Sequence, residues 1–397
     1  MKLLSVEAAR AAMVAEASAL PAQTIPLQTA NGRVLAQDVA AVRAQPPFTN
    51  SAMDGWAVRA ADTPGALAIV GESAAGHGYE GALAPGQAIR IFTGAALPGG
   101  ADSVVIQENA TREGDQVTVP AAAPGDNIRD AGKDFQVGDV LLTKGTRIDP
   151  WRLSLAASAG RAEVSVHAKP RIAILSTGEE IVEAPAVPGP FQIYDSGSPA
   201  LKVMCEAWGA EATKLSGVRD QLDAVIAAMR GAEADLIVTV GGASVGDHDL
   251  VRTAAEALGI RYKVESVAIR PGKPTFFGVL ADGRRLLGLP GNPASAFVCA
   301  ELFLKPLIAA YCGAAHAPRM ATARLAAPLA ANGPREHWMR AKLTYKEGGI
   351  TAQPYRDQDS SLVSVFAATD ALLRRPPSAP NSAAGDLVEV LLLDRAG

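Results

Sequence analysis

The chain has 397 residues, too long for one ordinary core, so about two to four domains are expected. A hydrophobic share of 48% beside 20% charged residues is the composition of a soluble globular protein. The formal net charge of −4 argues against a general nucleic-acid or membrane-surface binder.

The opening MKLLSVEAARAAM places Glu7 and Arg10 where a signal peptide needs an apolar core. It reads as an amphipathic helix of a cytoplasmic protein. No apolar run is expected to reach transmembrane length. Residues 46–140 are rich in Gly and Pro, with strand-like pieces at 88–92 and 103–107, and read as a β-rich domain. A helical piece follows at 151–159.

From 171 the pattern alternates strand and helix. RIAILS is a short apolar strand. Ser198 and Pro199 then open a helix as cap and first residue, with Leu201, Met204, Cys205 and Trp208 on one face and Gly209 ending it. Residues 212–215 suit a strand. Asp220 is expected to cap the next helix, which carries Leu222, Val225, Ile226 and Met229 at helical spacing. The run 236–240 is a buried parallel strand, followed by the loop GGASVGDHD and a helix with Val251, Ala255 and Leu258 on one face. Strands at 262–269 and 276–280 follow. Asp282-Gly283 is a hairpin signal, and Asn292-Pro293 opens a last helix expected to stop before Pro306. This is an α/β domain with a mainly parallel sheet. Ligands of such sheets bind beyond the carboxyl ends of the strands, so the loops at 177–180, 241–249 and 290–293 are expected to line one crevice. Beyond about 318, alternating strands including 338–345 and 387–393 suit a small β-barrel or sandwich. Residues 374–384 are expected to form a Pro/Ser-rich surface loop.

Three cysteines, Cys205, Cys299 and Cys312, show no CxxC spacing, which argues against a disulfide framework or a thiolate metal site. The five histidines make no HxxxH or HExxH pattern. Any metal is therefore a hard cation held by oxygen. The glycines of 239–249 let backbone N–H groups approach an anion, with Asp247 and Asp249 at the rim. The spacing is neither the dinucleotide fingerprint nor the P-loop, and a plain connecting turn remains the alternative. Asp54, within Met53-Asp54-Gly55-Trp56, suits a ligand rim or a domain-entry turn. Thr93-Gly94 at a strand end suits an oxyanion or ordinary turn chemistry. Arg270 and Lys273 flank a stiff Pro-Gly turn and suit an oxyanion. Pro290-Gly291-Asn292-Pro293 ends a strand and starts a helix whose N-terminus favours anions.

Together, SAMDGWA (51–57), FTGAALPGGAD (92–102), STGEE (176–180), GGASVGDHD (241–249), PGKP (271–274), GLPGNP (288–293) and the closing GDLVEVLLL (385–393) resemble one family. It is that of the molybdopterin molybdenumtransferases, which include the gephyrin E-domain. The resemblance implies a multidomain α/β plus β chain. Its parts are an elongated linking domain (1–45 and 141–170), an inserted β-rich domain (46–140), an α/β molybdopterin-binding domain (171–317) and a C-terminal β-barrel (318–397). Whether the N-terminal helix packs on the α/β domain is left open. The implied reaction inserts molybdenum from molybdate into the dithiolene of adenylylated molybdopterin and releases AMP, assisted by magnesium. The implied state is a homodimer with a composite active site, with the molybdopterin adenylyltransferase as a candidate partner and neither nucleic acid nor membrane involved. The implied catalytic residues are Asp54, Thr93, Asp134, Glu180, Asp249, Arg270 and Lys273. Ligand binding falls to Gly241, Gly242, Ser244, Gly246, Asp220, Pro290, Gly291, Asn292, Pro293, Arg340 and Ser360, and metal binding to Glu180, Asp247 and Asp249. Two departures stand out: Arg270 where the family commonly has Lys, and Asp195-Ser196-Gly197 for Asp-Ser-Asn. The rival readings are the adenylylation step and a non-catalytic molybdopterin-binding scaffold.

Overall fold

The computed structural model describes residues 3–216, 218–241, 250–347 and 349–394. The chain forms two compact units, one of Thr24–Asn31 with Gln37–Ser165, the other of Met1–Gln23, Gly32–Ala36 and Val166–Gly397.

The smaller unit is built on a six-stranded sheet in the order Ser103–Ile106, Gly55–Val58, Gln87–Ile91, Gly65–Ser73, Gln116–Val119, Thr111–Glu113. Side chains alternate across it, as the two-residue period of a strand requires. Trp56 and Val58 enter one apolar cluster with Leu67, Val105 and Val117; Ala57 enters the other with Ile89, Ile91 and Val104. Gly55 lies so close to the neighbouring strand that a Cβ there would sit 2.0 Å from the Val105 carbonyl oxygen. The helix expected at 151–159 is Pro150–Ser158, capped by the Asp149 carboxylate, which accepts from the Arg152 N–H at 2.8 Å.

The larger unit holds the α/β sheet, in the order Glu211–Leu215, Arg171–Ser176, Leu236–Val240, Arg285–Leu289, Phe276–Val279, Arg261–Val264. The first three pairings are parallel and the last two antiparallel. Both faces of the central strands are covered, so these are largely apolar, while the edge strands Glu211–Leu215 and Arg261–Val264 carry charged residues. Ile172 and Ile174 face one core with Leu201, Cys205 and Val238, while Ala173 and Leu175 face the other with Val225, Met229 and Ile237. The N-terminal helix Val6–Val14 packs Val6, Ala9 and Met13 into the first core. The Asp282-Gly283 hairpin forms between antiparallel strands. Gly209 ends its helix in the left-handed region at φ 108°.

Three local expectations are corrected. The helix expected from Ser198 starts at Gly197, because the Asp195 carboxylate accepts from the Gly197 and Ser198 N–H groups at 3.1 and 3.0 Å. Asp220 does not cap the helix Leu222–Gly231; Gln221 holds that position without a side-chain bond. The last helix does not stop at Pro306. It runs Pro293–Tyr311, with a π-helical stretch Ala300–Leu304 ahead of Pro306. The wider turn accommodates the missing proline N–H. That helix is long and apolar enough to cross a membrane, against the sequence expectation, but 89% of the span is buried inside the protein, as in a core helix.

The C-terminal strands Glu336–Lys346, Gly349–Pro354, Met320–Leu325, Leu387–Leu392 and Ala371–Arg375 pair in that order, and the last pairs back with the first. The result is a closed five-stranded barrel around Ala341, Leu373 and Val390, with no free edges in the ring.

Candidate functional site

Three parallel strands of the α/β sheet, Arg171–Ser176, Leu236–Val240 and Arg285–Leu289, deliver their loops to one edge. The loops nearly touch. Gly241 has φ +90°, its N–H donates to the Leu289 carbonyl at 3.3 Å, and a Cβ there would lie 2.9 Å from the Thr177 carbonyl oxygen. A Cβ on Gly291 would lie 3.2 Å from the Gly241 Cα. Only a glycine at 241 lets the loops close together in this way. They frame a cleft of about 1070 Å³. Thr177, Glu180, Gly241, Lys273 and the 290–293 turn all line it, so the structure brings together the 177–180 and 290–293 loops and Gly241, while 242–249 lie outside the described residues.

The cleft has acidic and basic groups. Glu180 is exposed at its rim and Asp220 lines it half-buried. Burial, with the Glu180 and Glu179 charges added, pushes the Asp220 carboxyl above the usual aspartate range. A carboxyl raised by neighbouring negative charges is relieved by a cation. Among the described residues, however, no three acidic, cysteine or histidine side chains converge into a finished metal site. Lys273 is exposed into the cleft from the Pro271-Gly272 turn, which is held by its own carbonyl accepting from the Val267 N–H at 3.1 Å. Ser176 also lines the cleft, and its buried hydroxyl has no hydrogen-bond partner among the described residues.

Pro293 opens the long helix into this cleft. Asn292 does not cap with its side chain; its Nδ2 donates to Ser360 Oγ at 2.8 Å. The Ser360 carbonyl accepts from the Ala294 N–H at 3.1 Å. Ser360 thus finishes the helix start from 68 residues away.

The two turn cations diverge. Arg270 faces a separate concavity of about 530 Å³, beside His337, Arg356 and Arg375. Burial and the surrounding arginines, Arg270 first, push the His337 imidazole down to about 4. Arg340 is 1% exposed and does not reach the cleft. It donates from Nη1 to the Asp359 carbonyl at 2.9 Å and from Nε to Gln358 Oε1 at 3.3 Å, holding the segment that carries Ser360.

Asp54 and Thr93 belong to the smaller unit. Asp54 Oδ1 accepts both the Thr93 N–H and the Thr93 hydroxyl at 2.7 Å. The Thr93 backbone bond and then its hydroxyl hold Asp54 below the usual aspartate range. Both Thr93 donors are therefore committed to a carboxylate, and the Gly94 N–H to the Ser51 carbonyl at 2.8 Å. Asp134 is exposed in the same unit, its N–H bonded to the Gln45 carbonyl at 2.9 Å. Gly242, Ser244, Gly246, Asp247 and Asp249 lie outside the described residues.

Sequence reading passed over two features. Asp195, met there only as part of an unusual triplet, is a buried pin. It accepts from Lys214 Nζ at 2.8 Å and from the Ser198 hydroxyl. Burial opposes its charge, but these bonds hold it below the ordinary range. The second is the pair Ile193–Tyr194, which gives the cleft an apolar side. An Ile-Tyr step carries no local signal of exposure.

The chain matches three family models: the MoeA N-terminal region (domain I and II) over residues 4–160, a probable molybdopterin binding domain over 173–310, and the MoeA C-terminal region (domain IV) over 322–393. A molybdopterin molybdenumtransferase of Staphylococcus aureus is 32% identical over 393 residues, covering 96% of this chain and 94% of that protein. One of Staphylococcus epidermidis is 32% identical over 381 residues, covering 93% and 91%. The crystal structure of a molybdopterin biosynthesis MoeA protein from Pyrococcus horikosii superposes with a TM-score of 0.84 at 31% identity, covering 99% of this chain and 100% of that one.

Proposed function

The chain belongs to the molybdopterin molybdenumtransferase family of transferases, with a role in molybdenum cofactor biosynthesis, and on that premise we propose that it inserts molybdenum from molybdate into the dithiolene of adenylylated molybdopterin, releasing AMP. The observation that carries this reading is the cleft in which Lys273 is set against Glu180 and the raised Asp220 carboxyl. A phosphorylated substrate with a divalent cation needs both signs of charge within one site.

In this reading Glu180 and Asp220, with Asp247 and Asp249, would hold magnesium, which would supply positive charge against the substrate's phosphates. Lys273 neutralises the anionic oxygens on the other side, and the helix starting at Pro293 adds its positive end. Pro290 and Gly291 let the backbone approach. Asp54 stays ionised on the two Thr93 bonds and takes a proton from the water that cleaves the adenylyl phosphoanhydride. That water's oxygen joins phosphorus as the bond to the bridging oxygen breaks, and AMP leaves. The two dithiolene sulfurs then replace two oxide ligands of molybdate, which depart as water with the protons released. No protein thiolate takes part. Burial pushes the Cys205 and Cys299 thiols up to about 12.

The composite site of a homodimer, in which Asp54, Thr93 and Asp134 come from the partner's inserted domain, belongs to the same proposal. So do the four-domain division, a cytoplasmic location, and direct transfer from the molybdopterin adenylyltransferase. Arg270, in the second concavity, supplies charge for molybdate on its way to the cleft, with Arg340 positioning Ser360.

The test is AMP release from adenylylated molybdopterin and magnesium, with and without molybdate. Molybdate-dependent release is expected. Tight binding with no release under either condition would overturn the insertion reading.

A further inference from the structure

The charged groups account for only part of the cleft. Its other side is made by a two-stranded parallel ribbon, Ile181–Val182 with Ile193–Tyr194. The ribbon is firmly tied at both ends. The Ile193 N–H donates to the Glu180 carbonyl at 2.7 Å, the Asp195 N–H to the Val182 carbonyl at 2.9 Å, and Gln192 Nε2 to the Glu179 carbonyl at 3.0 Å. The next residue, Asp195, is pinned by Lys214 and by the helix N–H groups. Between these anchors Tyr194 is 52% exposed, lines the cleft, and is packed into neither core flanking the sheet. An aromatic ring held on a fixed backbone yet left half in water stabilises the fold little. It offers a ligand a flat face at small entropic cost.

The main chain of Glu180, which carries one of the cleft carboxylates, is the rung against which Ile193 pairs. A ligand whose charged part meets Glu180, Asp220 and Lys273 therefore has its adjoining part beside Tyr194. We propose that Tyr194 is the platform on which a flat nitrogen-heteroaromatic ring of the substrate stacks, with Ile193 and Ile181 covering the ring's edge. The inference rests on the reading of the cleft as the site for adenylylated molybdopterin, and both adenine and pterin supply such a ring. Phe191, 92% exposed on the same segment, does not line the cleft and serves as a control.

The experiment compares Tyr194→Ala, Tyr194→Phe, Tyr194→Trp and Phe191→Ala. Loss of one stacked ring predicts that Tyr194→Ala raises KM for the adenylylated substrate by about ten-fold and leaves kcat within about two-fold. Tyr194→Phe and Tyr194→Trp should restore KM, and Phe191→Ala should match the parent chain. An unchanged KM in Tyr194→Ala, or an equal rise in Phe191→Ala, overturns the platform. Tyr194→Trp is then titrated with AMP alone and with molybdopterin alone, using the parent chain's fluorescence as baseline. Added quenching by AMP assigns adenine to the platform, and added quenching by molybdopterin assigns the pterin. Calorimetric binding of both without added quenching overturns it. If the parent chain releases no AMP, the insertion reading fails, while the AMP titration still decides the stacking.

Discussion

Two carboxylates assigned to the same chemistry stand in opposite electrostatic settings. In the smaller unit, Asp54 takes two donors from Thr93 and is held ionised well before any ligand arrives. In the α/β domain, Asp220 is half-buried against Glu180 and Glu179 and is pushed the other way. The first setting is complete in itself, while the second is relieved only by an added cation. One region therefore holds a carboxylate ionised by its own donors, and the other holds a carboxyl whose charge its neighbours oppose.

The largest expected effect is at the completed setting. Asp54→Ala should lower molybdate-dependent AMP release by about 100-fold or more, the scale of a lost general base, with an unchanged melting temperature. Near-normal turnover would remove Asp54 from the chemistry and break the contrast. An intermediate effect is expected from Glu180→Gln, which should raise the magnesium concentration for half-maximal rate by about ten-fold. The same variant sharpens the comparison through pH. Asp220, with its carboxyl raised, loses its charge at a higher pH than an ordinary aspartate. Magnesium affinity should therefore fall as pH drops through that raised value. With the Glu180 charge gone, the fall should move to lower pH; a shift upward, or none, would refute the coupling. The smallest effect belongs to Thr93→Val, which removes the hydroxyl bond and keeps the backbone one. Asp54 then rises towards the ordinary range, so the acid limb of the rate profile should move to higher pH, with about two-fold or less change near neutrality. An acid limb that stays in place would show that Thr93 does not tune Asp54.

Much of the α/β framework was legible in the sequence. Two-sided apolar strands, the Gly209 stop and the Asp282-Gly283 hairpin follow from local chemistry. Grouping the 177–180 and 290–293 loops with Gly241 needed only the rule that ligands gather at the strand ends. What sequence could not show was direction. Arg270 and Lys273 lie three residues apart, yet the turn between them sends one into each concavity. Arg340 lies in a strand whose two faces cannot be told apart by charge, and the structure buries it. The helix through Pro306 escaped because a π-turn replaces the break that proline ordinarily imposes. Tyr194 escaped because an Ile-Tyr step reads as core, and its exposure is set by the hydrogen bonds of its neighbours.

The bond between Asn292 and Ser360 bears on how small a working version of this protein can be. A fragment ending near residue 317 would keep the whole six-stranded α/β sheet but lose both Ser360 contacts, together with the pairing of Ile269–Arg270 onto Glu336–His337. Its anion-facing helix would begin unfinished, and the turn bearing Lys273 would hang from an unpaired strand. The C-terminal segment is in this sense a remote clamp on the cleft, and, if the cleft binds ligand as proposed, trimming it should loosen that binding well before it unfolds the sheet.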